Sequence, residues 1–221
     1  MKKHDIKHHL SKELLMAYST GQLEEGFSLA IATHISMCDQ CRAELESLEA
    51  MGGAIFENLE PNEIDIDAFA KTLALIDDAS ERVITKAIPT ELPEPLADYV
   101  GCDLDDIDWR PIGMGVKQKI LVNTEKVSAR LLYIPAGTAV PEHSHNGKEL
   151  TLVLKGAFKD EIDHFGPGDI EFADGETHHT PVASDEEDCI CLAVTDAPLK
   201  FNKLMHKICL LYTSPSPRDL H

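Results

Sequence analysis

No stretch of this 221-residue sequence approaches the ~20 consecutive apolar residues needed to cross a bilayer, and the opening MKKHDIKHHLSKELL has no apolar signal core. Membrane anchoring and secretion are not expected, and a cytoplasmic location is. Positive charge is scarce as well: 20 Lys and Arg stand against 39 Asp and Glu, a formal net charge of −19. Such a field repels phosphate backbones, so direct nucleic-acid binding is not expected and a basic protein partner is favoured. No heptad is sustained, which removes a coiled coil. Cysteines number six, at 38, 41, 102, 189, 191 and 209. In a reducing compartment disulfides are rare, so the close pair Cys38-x2-Cys41 reads as a metal or redox site. The βαβ context of a thioredoxin-like pair is missing, which favours metal.

What is present divides the chain into unlike parts, a helical one followed by a β one. Residues 9 to about 85 carry helical periodicity. Ser11 is placed to cap a helix beginning KELLMAYSTG that Gly21 ends. Phe27, Ala30, Ile31, His34, Ile35 and Cys38 then recur at three- and four-residue steps. Asp39 offers an N-cap for a third helix with Leu45, Leu48, Ile55 and Leu59, weakened in the middle by Gly52 and Gly53. A fourth helix from about Asp65 puts Ile66, Phe69, Leu73 and Ile76 on one face. A small helical bundle over residues 1–85 is expected. Pro89, Pro93 and Pro95 mark residues 86–100 as a stiff linker without regular helix. Over residues 101–201 the period becomes two, with short apolar runs (VSARLLYIP, LTLVL, DIEFA, CICLAV) between Gly and Pro turns, the pattern of an all-β sandwich or barrel. The fold class is thus α+β and multidomain. The tail, residues 202–221, turns into Ser/Pro-rich sequence (CLLYTSPSPRDLH) like a translated sequencing adaptor, and is expected to be partly artefactual.

Two clusters carry metal chemistry. In THISMCDQC, His34 and Cys38 are four apart on a helix and so share a face. Cys41 returns to that face if the helix continues, or enters the first turn of the next one, where the backbone dipole favours thiolate. A structural zinc needs a fourth ligand, and KHHLS offers His8 or His9. In GTAVPEHSHNGKELTLVLKG, His143 and His145 lie two apart on a strand and face one side, into a barrel lumen, while Glu149 follows a short turn. FGPGDIEFADGETHHTP should supply a further imidazole, from His178 or His179. Three His and one Glu suit a borderline divalent ion, zinc first, with iron, manganese and nickel as alternatives. Cys189 and Cys191, two apart on a strand, read as buried barrel-wall side chains.

The run HHLSKELLMAYSTGQLEEGFSLAIATHISMCDQCRAELESLEAMGG resembles the zinc-binding domain of the ChrR family of anti-sigma factors, whose motif is His-x(~25)-His-x3-Cys-x2-Cys on a small helical bundle. The resemblance implies His9, His34, Cys38 and Cys41 as zinc ligands, His9 because the family's histidine directly precedes the Leu-Ser that opens the first helix. Gly137-x5-His143-x-His145-x3-Glu149-x6-Gly156 resembles the first cupin motif at every defined position. Counting eleven from Gly168, the second motif implies His179, although Asp174 and Glu176 stand where that motif usually has Pro and Gly. ChrR-type proteins join these two domains, so the resemblance covers most of residues 5–201. It implies a protein that wraps an extracytoplasmic-function sigma factor and frees it under singlet-oxygen or hydroperoxide stress. Charge agrees: between Glu13 and Ala70 stand twelve acidic residues and one basic, Arg42, which could steer the bundle to the positive surfaces of a sigma factor. The competing reading is a metal-dependent, dioxygenase-like cupin enzyme with a protein-docking bundle; the sequence nominates no catalytic residue for it.

Overall fold

The structure, a computed structural model, describes residues 5–78, 90–140, 143–144, 147–175, 178–197 and 200–201. The expected tail lies outside these residues, as does Pro89. Among the described residues five α-helices precede the β region: α1 (Lys12–Ser19), α2 (Glu25–Met37), α3 (Asp39–Glu57), α4 (Ala68–Asp78) and α5 (Glu94–Val100). Ser11 caps α1 as its sequence suggests, its side chain accepting from Leu14 N at 3.3 Å. Gly21 follows the helix at φ +66°, a left-handed turn that suits a residue without Cβ.

Among the described residues twelve strands follow: β1 (Arg110–Gly113), β2 (Val116–Asn123), β3 (Ser128–Ile134), β4 (His143–Ser144), β5 (Glu149–Lys155), β6 (Phe158–Lys159), β7 (His164–Phe165), β8 (Ile170–Ala173), β9 (His178–His179), β10 (Val182–Ala183), β11 (Cys189–Thr195) and β12 (Lys200–Phe201). They form a six-stranded sheet in the order β1-β2-β3-β11-β5-β8 and two three-stranded sheets, β10-β6-β7 and β12-β4-β9. The described strand pairs are all antiparallel.

β5 and β11 are buried along almost their whole length rather than on alternate residues. The large sheet is covered on both faces, and a strand in that position must be apolar on both. One face belongs to a core that contains Leu131, Leu150, Leu152, Leu192 and Val194 together with Leu15, Phe27, Ile31 and Leu96 of the helices. The other face contributes Ile134, Val153, Cys189 and Cys191 to a second core with Phe158 and Phe165 of the small sheet. The helical part and the β part therefore share one continuous apolar core.

α2 is the hinge of that arrangement. It is buried on nearly every side, against α1, α3 and α5 and against the large sheet, which is why its sequence is apolar almost all round. Gly26 sits where a Cβ would come within 3.0–3.1 Å of Val127, Ala129 and Val194, so a glycine lets the helix lie directly on the strands.

Two expectations are corrected. The proline-rich segment contains a helix, α5, which packs on α2 through buried Leu96. Pro93 is its N-cap and Pro95 falls in its first turn, where a missing N–H breaks no intrahelical bond. The N-cap of α3 is Cys38, not Asp39. α4 forms, but Phe69, Leu73, Leu75 and Ile76 are exposed, as are Ile55 and Phe56 late in α3. The packed bundle thus consists of α1, α2, the start of α3 and α5.

Candidate metal centres

α2 ends and α3 begins within two residues, and that junction builds the amino-terminal site. Cys38 has the extended backbone of a cap, φ −109° and ψ 106°, and its Sγ accepts from Cys41 N at 3.5 Å. The break turns both sulfurs toward His34, one turn back on α2. The segment before α1 supplies His9. His9 Nδ1 lies 3.3 Å from Cys38 Sγ and 3.8 Å from Cys41 Sγ, and His34 Nε2 lies 3.3 Å from Cys41 Sγ. A zinc tetrahedron with ordinary Zn–N and Zn–S bonds has edges of roughly 3.4–3.8 Å. The donor atoms of His9, His34, Cys38 and Cys41 all fall within 4.8 Å of one another, so the set fits one ion.

His34 is fully buried, and its Nδ1 lies 2.9 Å from Gly168 O. A carbonyl can only accept, so Nδ1 carries the proton and Nε2 keeps its lone pair for the cluster. Burial pushes the His34 pKa down to about 4, against the pull of that hydrogen bond, which keeps the ring neutral. Burial also pushes the Cys41 thiol up to about 11, partly offset by a hydrogen bond from the Leu10 backbone. Metal binding must therefore displace the Cys41 proton.

His8, the other candidate, turns away. Its ring packs on Phe165 with centroids 4.3 Å apart, and its Nε2 is 3.6 Å from Asp163 Oδ2, too long for a hydrogen bond.

In the β part, His179 is 1% exposed and its Nδ1 lies 3.0 Å from Glu171 Oε1 and 3.2 Å from Asp160 Oδ2. These three also form a set able to hold a metal by proximity. Burial alone would lower the His179 pKa; hydrogen bonding and charge from Glu171, then the charge of Glu149 and a bond to Asp160, carry it up to about 9. Burial raises Glu171 to about 7. Asp160 lies below the usual carboxylate range despite its burial, held by Glu171 and by the backbone amides of Asp163 and Ile162.

Glu149 is buried at the start of β5, where Thr151 Oγ1 donates to its Oε1 at 2.9 Å. β4 pairs with β9 so that His143 stands opposite His179 in register. His145 lies outside the described residues, and of the four expected cupin donors the structure describes the side chains of Glu149 and His179 only. Nδ1 of His179 is engaged by the carboxylates of Glu171 and Asp160, the kind of contact that orients a histidine ring. The sequence pattern pointed to His179 but not to Glu171 or Asp160; Glu171 had only its place on the inward face of β8 as a signal, and Asp160 had none. Cys189 and Cys191 are buried in the sheet, as a barrel wall requires.

A His2Cys2 cluster able to hold one ion, built at the amino-terminal helices, thus stands beside a β domain with a buried histidine–carboxylate group. The sequence profile of the ChrR cupin-like domain matches residues 98–198. The anti-sigma-E factor ChrR of Cereibacter sphaeroides is 51% identical over 204 residues, 92% of this chain and 96% of that protein. The chain belongs to the ChrR family. The crystal structure of Rhodobacter sphaeroides SigE in complex with the anti-sigma ChrR matches at TM-score 0.77 and 51% identity, over 87% of this chain and 100% of the matched chain. KdgF from Halomonas sp. matches only distantly, at TM-score 0.38 and 23% identity over 42% of this chain and 89% of its own.

Proposed function

We propose that this chain is a cytoplasmic anti-sigma factor. Zn2+ at His9, His34, Cys38 and Cys41 organises helices that sequester an extracytoplasmic-function sigma factor, and oxidative stress, singlet oxygen or hydroperoxide, releases it to regulate transcription. The observation that carries this reading is the pairing of two features on one helix. α3 begins in the four-donor cluster and ends in exposed Ile55 and Phe56 (67% and 74%), followed by exposed Ile66, Phe69 and Ile76 around and within α4. An apolar surface of this extent among acidic residues awaits a partner with apolar pockets and a basic rim.

Zinc in a closed site of this kind supplies apparent folding energy on the order of 10–16 kcal/mol. Holding Cys38 and Cys41 together sets the angle between α2 and α3, and so aims the exposed half of α3. Domain limits near 1–85, 86–100 and 101–201 describe how the sequence is organised, with the shared core joining the parts. In the cupin, His143, His145, Glu149 and His179 would hold a second divalent ion, zinc first among Zn, Fe, Mn and Ni, and this centre acts as the sensor rather than as an enzyme. His179 fits that role through its carboxylate-held Nδ1; Glu149 fits as a buried carboxylate acting on the same ring.

The full chain, co-expressed with the sigma factors of its source cell, should purify with one of them and carry zinc in the same sample. Cys38→Ala or Cys41→Ala should abolish capture. A metal-free double variant that captures the sigma factor at wild-type strength would refute the reading.

A further inference from the structure

The amino-terminal centre does not end at its four donors. Gly168, in the turn before β8, accepts from His34 Nδ1. Asp169, fully buried, takes the Lys7 and His8 backbone amides on Oδ1 at 2.6 and 2.9 Å and the Gly166 amide on Oδ2 at 2.9 Å. Ile170 N reaches His8 O at 3.4 Å. The segment that delivers His9 is therefore fastened along the start of β8. Gly168 has φ +90°, and a Cβ there would sit 2.6 and 2.8 Å from Ile6 side-chain atoms, so the close seat of this segment depends on a glycine.

The same strand serves the other centre. Two residues beyond Asp169, Glu171 holds His179 Nδ1, with Asp160 on the same nitrogen. β8 pairs with β5 at the edge of the large sheet, and its register runs Leu152 opposite Ile170 through Glu149 opposite Ala173. Within the four residues 168–171 the turn and the start of β8 thus carry the groups that orient one ligand-bearing segment and the carboxylate that orients His179, while Glu149, on the partner strand β5, lies at the cupin centre.

We infer that the 166–169 turn and β8 are the outer coordination shell of the amino-terminal centre and couple it to the His179–Glu171–Asp160 centre. The carbonyl of Gly168 fixes the His34 tautomer and ring plane. Asp169 sets the backbone of residues 7–8, and through it the reach of His9 to the sulfurs. Displacing Glu171 at the far end moves the strand on which both depend and loosens the grip on the ion; by reciprocity, an ion held by the four donors restrains β8. Asp169 and Glu171 are positioning residues, neither touching the amino-terminal ion. The inference rests on metal occupancy of the four-donor site, which the wild-type protein tests by itself.

The experiment uses the full chain loaded with cobalt(II). Thiolate-to-cobalt absorption that Cys38→Ala abolishes reports the amino-terminal centre alone, and its decay after addition of EDTA gives the release rate. Asp169→Ala is expected to speed release by about 10- to 100-fold and to alter the band. Asp169→Asn, similar in volume and able to accept the two Oδ1 bonds, should fall between it and wild type, and keeps the test sound if the alanine variant does not fold. Glu171→Gln should change the release rate at this remote centre, and that effect should vanish in an Asp169→Ala background, where the link is cut, and shrink in an Asp169→Asn background, where part of it remains. Asp103→Ala removes a carboxylate that also gathers three donors, Thr90, Glu91 and Leu104, away from both centres, and should change nothing. A wild-type rate in the Asp169 variants overturns the outer-shell role. A silent Glu171→Gln, or one whose effect persists undiminished without Asp169, overturns the coupling. A wild-type chain with no cysteine-dependent band would instead overturn the metal reading itself.

Discussion

His34 and Cys41 stand on opposite sides of what a metal requires. The imidazole, pushed down to about 4 by burial, is already the neutral donor; the thiol, pushed up to about 11, is not yet a thiolate. Metal binding near pH 7 should therefore release a proton from Cys41 and none from His34, and apparent affinity should rise with pH. Titration calorimetry in buffers of different ionisation enthalpy measures this; proton uptake on binding would contradict it. The sign for folding follows from the same shift. His34 has a folded pKa below its unfolded one, so the unfolded chain binds the extra proton, and the metal-free protein should lose stability as pH falls from about 6.5 toward 4. Spacing alone left His8 and His9 open as donors. The choice depends on Asp169 and Phe165, more than 150 residues away, which draw the His8 backbone and ring to the barrel and leave His9 facing the sulfurs.

Helices announced themselves through caps and periodicity, and failed to do so where tertiary contacts override them. Three prolines within seven residues argue against helix, yet α5 forms because they fall at and before its first turn and because Leu96 gains a buried seat. Cys38 displaces Asp39 as the cap of α3 because the sulfur that accepts from Cys41 N must also face the cluster. Gly26→Val should place methyl groups against Val127, Ala129 and Val194, cost about 1–3 kcal/mol of stability and lower the melting temperature. Phe56 and Phe69 behave in the opposite way. Exposed by 74% and 76%, they contribute little to the fold, so Phe56→Asp and Phe69→Asp should leave the melting temperature unchanged while weakening sigma-factor capture at least tenfold in a pull-down or binding titration. A fall in melting temperature with capture intact would show that this surface serves the fold instead.

At the scale of the whole molecule, the net charge of −19 and the shared core do different work. The charge acts at a distance: association with a basic partner should slow steeply as salt rises from 50 to 500 mM, by roughly tenfold or more in a stopped-flow measurement, while dissociation changes less. A salt-independent rate would remove electrostatic steering. The core acts at contact, and turns two sequence regions with different periodicities into one body. Among the described residues no helix is long and apolar enough to cross a membrane. The sequence by itself determined the helical and β halves, the His-x3-Cys-x2-Cys cluster and the first cupin motif, because each is written in spacings of a few residues that local backbone geometry converts directly into a shared face. Only the tertiary structure decided that α2 belongs to both halves, that Asp169 and Phe165 draw His8 away from the sulfurs, and that Gly168, Asp169 and Glu171 stand behind the two centres. Those relations join residues far apart in the chain, and they exist only where burial and hydrogen bonding bring separate segments to the same place.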